Sequence, residues 1–371
     1  MKRKKVLFLT NAVSPYRHAF FQELAKSVQL TVLSEVAHSK EREWVVSEEK
    51  SQDLQEITLK SWKRSVNDAF CPGVIQYLKK KYDHIIVGVY NTPTGMLAIL
   101  WMHLHKKRFI ISADGGQVKP DSKAKAMLKR FFISKASGWL SSGKQTTEYL
   151  QHYGAQKDKI YHYPFTSLWE SDIYPSVASV KEKQTLRQKL NIREKYMVIS
   201  VGRFTYLNGY GKGYDALIRA AQQLPEDIGW YIIGGAPTEE FAKIVEDTGL
   251  KNIHFVDFMD KESLKEYYRA ADVFALMTVG DVWGLVINES MACGLPVITT
   301  DKCVAGVELV EAGKNGYIVK VGDDKALANR VKEILDTPGA VEAMGTHAID
   351  VIREYTIENM ARMHMQAFEK N

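Results

Sequence analysis

Short apolar runs free of helix breakers recur along the chain, each followed by a stretch with apolar residues at helical spacing. That alternation is the pattern of parallel strands joined by crossover helices, and it argues against all-helical and all-β architectures. It occurs twice. The first series passes through "KVLFLT" (Lys5–Thr10), "LTVLSE", "DHIIVGV", "RFIISAD" and "SGWLSSG". The second passes through "YMVISVGRF", "WYIIGG", "IHFVDF", "DVFALM", "PVITTD" and "GYIVK". Between them, "TSLWESDIYPSVASVKEK" is polar and turn-rich and reads as a linker. The expected division is therefore a domain over 1–165, a linker over 166–182, a second domain over 183–350 and a C-terminal helix over 351–371 that packs back on the first domain. With 371 residues, 45% of them hydrophobic, each domain can bury its own core. Two doubly wound α/β sheets in series are expected to face a central cleft with their strand carboxyl ends, where ligands bind in such folds.

Several function classes are disfavoured at the outset. Cys71, Cys293 and Cys303 are odd in number and lack metal-ligand spacing, so they read as reduced structural thiols of a cytosolic protein. No apolar run approaches the roughly 20 residues of a membrane span. "GMLAILWMHLH" (Gly95–His105) comes nearest and reads as a buried helix. "MKRKKVLFLTNAV" has too short an apolar run for a signal peptide and reads as a first strand. His18, His103 and His105 attract attention as ligands, but the last two are spaced so that a helix points them apart. No Asp-x-Asp pair occurs anywhere in the chain.

The most informative stretch is "TVGDVWGLVINESMACGLPVITTD" (Thr278–Asp301). It follows a buried strand and holds a turn at Gly280 and Gly284, then a short helix from about Gly284 to Cys293. Gly294 suits the left-handed end of that helix and Pro296 forbids its continuation. Two acids, Asp281 and Glu289, bracket the helix start, where bare N–H groups favour an anion. A second strand–loop–helix unit, "SVGRFTYLNGYGKGYDALIRAA" (Ser200–Ala221), sets Arg203 and Lys212 among glycines, as a diphosphate would require, although a solvated loop has the same composition. In "IIGGAP", Gly234 and Gly235 leave space for a ligand or make a tight turn.

Taken in order, "VGRF…KG", "IIGG", "HFVDFM", "ADVFALM", "GDVWGLVINESMACGLPVI" and "ELVEAGKNGYIV" resemble the nucleotide-binding half of glycosyltransferase family 4, the group 1 transferases. The resemblance covers roughly Val198 to Val319 and implies the GT-B fold, two Rossmann-like domains facing a cleft. It further implies a retaining transfer of a sugar from a nucleotide diphosphate sugar, most commonly UDP-linked, to a hydroxyl of a glycan or lipid-linked acceptor. Carried over residue by residue, Glu289 binds ribose and Asp281, where the family usually has glutamate, sits near the donor sugar. Arg203 and Lys212 become the diphosphate pair, joined by the amides of Gly284, Leu285 and Val286. Phe258 and Met259 fall at the nucleotide base, with ordinary core packing as the other reading, and Gly234 and Ser14 of "NAVSPYR" fall on the donor side. Asp114 of "FIISADGG" lies where relatives often have a histidine; it would bond a sugar hydroxyl or acceptor, or fix the turn at Gly115 and Gly116. The donor is a substrate, and neither cofactor nor metal is implied. A nucleotide-sugar epimerase of the same shape and a non-catalytic scaffold, suggested by Asp281, stay open as alternatives.

One further feature concerns partners. "KPDSKAKAMLKRFFISK" (119–135) sets Lys119, Lys123, Lys125, Lys129, Arg130 and Lys135 against one acid, Asp121, in a chain whose formal net charge is only +6. Met127, Leu128, Phe131 and Phe132 recur between the cations at helical spacing. Such a helix suits peripheral contact with an anionic bilayer, or packs its apolar side on its own domain. No nucleic-acid recognition motif accompanies the charge. The expected location is cytoplasmic, at the inner face of the plasma membrane.

Overall fold

A computed structural model describes residues 3–36, 52–63, 69–204 and 206–371. Met1 and Lys2, before the first strand, and Thr205, in the loop after Arg203, lie outside these residues. The chain forms two compact units, one of Met1–Ser167 with Tyr355–Asn371 and one of Leu168–Glu354.

In the first unit the apolar runs form a parallel sheet, because helices cover both faces and every side chain of a central strand must be apolar or bonded. Its strands are β1 (Lys5–Thr10), β2 (Gln29–Ser34), β3 (Leu54–Thr58), β6 (His84–Val87), β7 (Ile110–Ala113), β8 (Gly138–Ser141) and β9 (Ile160–His162). The order is β3-β2-β1-β6-β7-β8-β9. A separate antiparallel pair joins β4 (Trp62–Lys63) to β5 (Ala69–Phe70). Connectivity reverses between β1 and β6, so the loops after those strands and after β7 meet where open α/β sheets receive ligands. The helix Pro15–Ala25 begins with proline at its first position and buries Phe20, Phe21 and Leu24. The C-terminal helix Ile357–Lys370 packs against it, with the His364 and Phe20 rings 4.7 Å apart, and Phe368 stacks on His84 at 4.9 Å.

The segment expected as a buried helix is Pro93–Leu104, and only one of its faces is buried. Thr94, Gly95, Ala98, Ile99 and Met102 are inside, whereas Leu104 is 70% exposed. Gly95 lets it approach closely: a Cβ there would lie 1.8 Å from the Val89 carbonyl oxygen.

The second unit repeats the design with β10 (Tyr196–Val201), β11 (Ile228–Ile233), β12 (Ile253–Val256), β13 (Val273–Leu276), β14 (Val297–Thr300) and β15 (Gly316–Val319). Their order is β12-β11-β10-β13-β14-β15, all parallel, with the reversal between β10 and β13. Each unit has its own core, centred on Leu7, Val87, Ile111 and Trp139 in the first and on Val198, Trp230, Phe241 and Val273 in the second.

The stretch expected as a linker is docked on the second unit from Leu168 onward. Asp172 pairs with Lys261 and, at 2.9 Å, with Lys265; the Tyr174 N–H donates to the Ala292 carbonyl; Arg269 lies 4.2 Å over the Tyr174 ring. Asp172 is thus held by distant partners, while Glu170, Ser171, Ser176 and Ser179 stay exposed. The last helix likewise starts at Ile357, while residues up to Ile352 complete Ala340–Ile352 of the second unit.

Candidate functional site

The reversal in the second sheet brings the loops after β10 and β13 side by side, and hydrogen bonds stitch them together. The Gly211 carbonyl accepts from the Thr278 hydroxyl at 2.9 Å and from the Val279 N–H at 3.1 Å. Gly213, at φ +72°, permits this contact, since a Cβ there would lie 2.0 Å from the Met277 carbonyl oxygen. Lys212 is thereby carried to Asp281, and its Nζ donates to Oδ2 at 2.7 Å with both side chains about four-fifths buried.

The Asp281 loop is fixed from its other side as well. Its N–H donates to the Lys302 carbonyl at 3.0 Å, and the Cys303 thiol donates to the Trp283 carbonyl at 3.3 Å. Trp283 is buried, with its indole N–H on Asn288 Oδ1 at 2.8 Å. Gly284 follows at φ +102°, where a Cβ would meet the Cys303 sulfur at 2.7 Å. It caps the helix Leu285–Ala292, whose amino end has no side-chain cap among the described residues and presents the N–H groups of Leu285 and Val286. A fixed ammonium and a helix amino end on neighbouring loops can together hold an anion.

The remaining second-unit candidates are distributed around this pair. Arg203 follows β10 directly, is exposed, and makes no ion pair among the described residues. Gly234 ends β11 with a packing role: a Cβ there would lie 2.0 Å from the Gly202 carbonyl oxygen, next to Arg203. Phe258 is 65% exposed past β12, which excludes core packing for it, while Met259 is half-buried. Glu289 lies in a recess of its own, lined by Asp172, Lys261, Lys265, Tyr268 and Cys293. The Tyr268 hydroxyl donates to its Oε2 at 3.4 Å, and burial together with the Glu289 charge pushes that phenol well above its ordinary range. The lysines and Tyr268 follow "KESLKEYY" at helical spacing, but the link of the two lysines to Asp172, 89 positions earlier for Lys261, has no local signal.

In the first unit Asp114 stands just past β7. The Arg17 guanidinium pairs with one carboxylate oxygen, and the Tyr163 hydroxyl donates to the other at 2.8 Å. Arg17 is nearly fully buried, with the Phe8 and Phe165 rings at 5.8 and 5.6 Å. Burial works against its charge, but the Asp114 carboxylate outweighs it and raises the guanidinium above its ordinary value. Burial, reinforced by Asp114, raises Tyr163 as well. Ser14 caps the helix Pro15–Ala25 without a side-chain bond, and its buried hydroxyl has no partner among the described residues. His364 packs on Tyr163 at 4.8 Å, and burial lowers its pKa to about 4, keeping it neutral. Sequence reasoning named Asp114 and Ser14 but not Arg17, Tyr163 or His364, which come from three distant segments.

All three cysteines are free and buried, and burial pushes Cys293 and Cys303 up to about 12. His103 and His105 are exposed, and His105 stacks on Trp101 at 4.0 Å. Among the described residues no group of three or more His, Cys, Asp or Glu could hold a metal ion.

Residues 182–351 match the family model described as glycosyl transferases group 1. D-inositol 3-phosphate glycosyltransferase of Xylanimonas cellulosilytica is 27% identical over 229 residues, 59% of this chain and 54% of that one. The match thus spans about half the length of that relative. An uncharacterized glycosyltransferase of Methanocaldococcus jannaschii is 26% identical over 78% of this chain and 75% of its own. Among solved structures, Anabaena Alr3699/HepE in complex with UDP superposes with a TM-score of 0.78 at 18% identity, over 99% of this chain and 100% of that one. The fold is GT-B.

Proposed function

We propose that the protein, whose residues 182–351 match the model of the glycosyl transferases group 1, transfers a sugar, with retention of configuration, from a UDP-sugar to a hydroxyl of a glycan or lipid-linked acceptor. The observation that carries the donor assignment is the Lys212–Asp281 pair at 2.7 Å beside the amino end of Leu285–Ala292. As the bond from the anomeric carbon to the diphosphate oxygen breaks, its electron pair goes to the diphosphate, the acceptor oxygen bonds to that carbon on the same face, and the acceptor's proton passes to the departing diphosphate. Lys212, Arg203 and the amides of Gly284, Leu285 and Val286 stabilise that charge, an electrostatic form of catalysis that asks for no metal. Asp281 aims the Lys212 ammonium and accepts from a donor-sugar hydroxyl. Glu289 accepts from the ribose hydroxyls, and the exposed Phe258 ring offers a face for the base. UDP is supported by the likeness to a protein solved with UDP.

On the acceptor side, Asp114 is a carboxylate held by Arg17 and Tyr163 at a strand end of the first sheet, about three-tenths exposed. It can receive a hydrogen bond from an acceptor hydroxyl. The work is placed in the cytoplasm, at the inner face of the plasma membrane, as a step in envelope or extracellular polysaccharide assembly. No helix of the described residues is long and apolar enough to cross a membrane.

A thermal-shift screen with nucleoside diphosphates and their sugars, in EDTA, tests the reading. A matched ligand at 100 times its Kd stabilises by about 2.7 kcal/mol. UDP and at least one UDP-sugar are expected to raise the midpoint; no shift with any nucleotide overturns the assignment.

A further inference from the structure

The helix Lys123–Ile133 buries a single residue, Ile133. Ala126 and Phe132 are partly buried against the same core, but the rest of its apolar side is left outside: Met127 is 72% exposed, and Leu128 and Phe131 are exposed as well. Beside it runs Pro93–Leu104, with the His103 and Phe131 rings 6.5 Å apart, and this neighbour leaves Leu100 and Leu104 exposed. Two helices of one unit thus present five large apolar side chains to the outside. Cations surround them: Lys106 at the end of the first helix, and Lys119, Lys123, Lys125 and Arg130 around the second are all exposed.

The cations are not equivalent. Lys129 is turned inward, bonded to Asp121 at 2.6 Å, with its ammonium 4.9 Å from the Tyr153 ring and 5.5 Å from the Tyr149 ring. Asp121 also takes the Tyr153 hydroxyl at 2.5 Å and Lys125 at 3.0 Å. The one acid of the segment is therefore consumed internally, and Lys129 is consumed with it. What faces outward is apolar tips ringed by positive charge. Apolar side chains entering the acyl boundary, with cations at headgroup level, is the complement of an anionic lipid surface.

We propose that this two-helix surface docks the protein on an anionic bilayer, with Leu104 and Met127 as the inserting tips and Lys106, Lys119, Lys123 and Arg130 as the headgroup contacts. Lys129 and Asp121 hold the helix to the fold and take no part in lipid contact. The surface gives the membrane-side location proposed above a physical basis, yet its test is independent of any nucleotide or sugar.

Co-sedimentation with vesicles of phosphatidylcholine, alone or mixed with phosphatidylglycerol, decides it. Binding is expected only to the mixed vesicles, and it weakens as salt rises. The pair Leu104→Ser with Met127→Ser is expected to lower the bound fraction at least about tenfold. Lys119→Gln with Lys123→Gln is expected to lower the partition coefficient by about fivefold per charge. Lys129→Gln is expected to lower the unfolding midpoint and leave the vesicle partition of the folded protein unchanged. The positions changed in the first two pairs are exposed, so an unaltered unfolding midpoint verifies that those variants fold. Equal sedimentation with neutral and mixed vesicles, or no binding at low salt, overturns the proposal. So does a concentration-dependent dimer of the free protein that Met127→Ser abolishes, which assigns the apolar face to a second copy of the chain.

Discussion

The ammonium of Lys212 and the carboxylate of Asp281, 69 positions apart, meet at 2.7 Å because Gly211 is bonded to the loop that carries Asp281. An anion arriving at the neighbouring helix end finds a cation already aimed, with little reorganisation left to do. The acid in this pair orients as much as it binds.

Asp281→Asn keeps the size of the side chain and removes its charge, so turnover per donor bound is expected to fall about tenfold. Asp281→Glu keeps the charge and is expected to stay within about threefold of the parent. Steady-state kinetics on both variants checks this. Equal activity of the two would reduce Asp281 to a support for its loop.

Arg203 is exposed, whereas Glu289 sits in a separate recess and accepts from the buried Tyr268 hydroxyl. Arg203→Ala and Glu289→Ala are each expected to cost at least about tenfold, ~1.4 kcal/mol, in turnover or donor affinity while both variants stay folded. Full activity in both folded variants removes them from the donor site.

The Arg17–Asp114 pair behaves differently because Arg17 is buried. Asp114→Ala leaves a buried guanidinium without its counter-charge and is expected to lower stability by about 3–5 kcal/mol. Tyr163→Phe removes one bond to the same carboxylate and is expected to cost about 1 kcal/mol. Denaturant midpoints of the two variants separate these; equal midpoints would mean the pair is not what holds Arg17.

His364 supplies a pH dependence whose sign is set by burial. Its pKa falls from an ordinary 6.5 to about 4. Above 6.5 both folded and unfolded chains carry it neutral; below, the unfolded chain takes up a proton that the folded one refuses. Stability is therefore full above 6.5 and is lost as pH falls towards 4, by roughly 3 kcal/mol over that window. In His364→Gln the part of the slope between those limits is expected to disappear, as unfolding midpoints from pH 7 to pH 5 would show.

The legible parts of this protein were those with local signals. Central strands such as β10 and β13 are covered on both faces and so read as unbroken apolar runs, and the loops between them inherit their places from the strand order. Edge strand β3, "LQEIT", is exposed along most of its length and has no such signature. The spacing of Asp281 and Glu289 around Gly284 was visible, but the recess around Glu289 was not, because Asp172, Lys261 and Lys265 converge only in the folded chain. The same holds for Arg17, Asp114 and Tyr163, joined across three segments by bonds that no periodicity announces. Within 166–182 the ion pairs of Asp172 with Lys261 and Lys265 had no local signal, and within 95–105 nothing in the apolar run told the exposed Leu100 and Leu104 from the buried Ala98, Ile99 and Met102.

The most direct test of the central claim is a calorimetric titration of UDP into the parent protein and into Lys212→Ala, both in EDTA. The account expects the parent to bind without metal and the variant to bind at least about tenfold more weakly, a loss of ~1.4 kcal/mol. Equal affinity of the two, or binding by the parent only after a divalent ion is added, would contradict it.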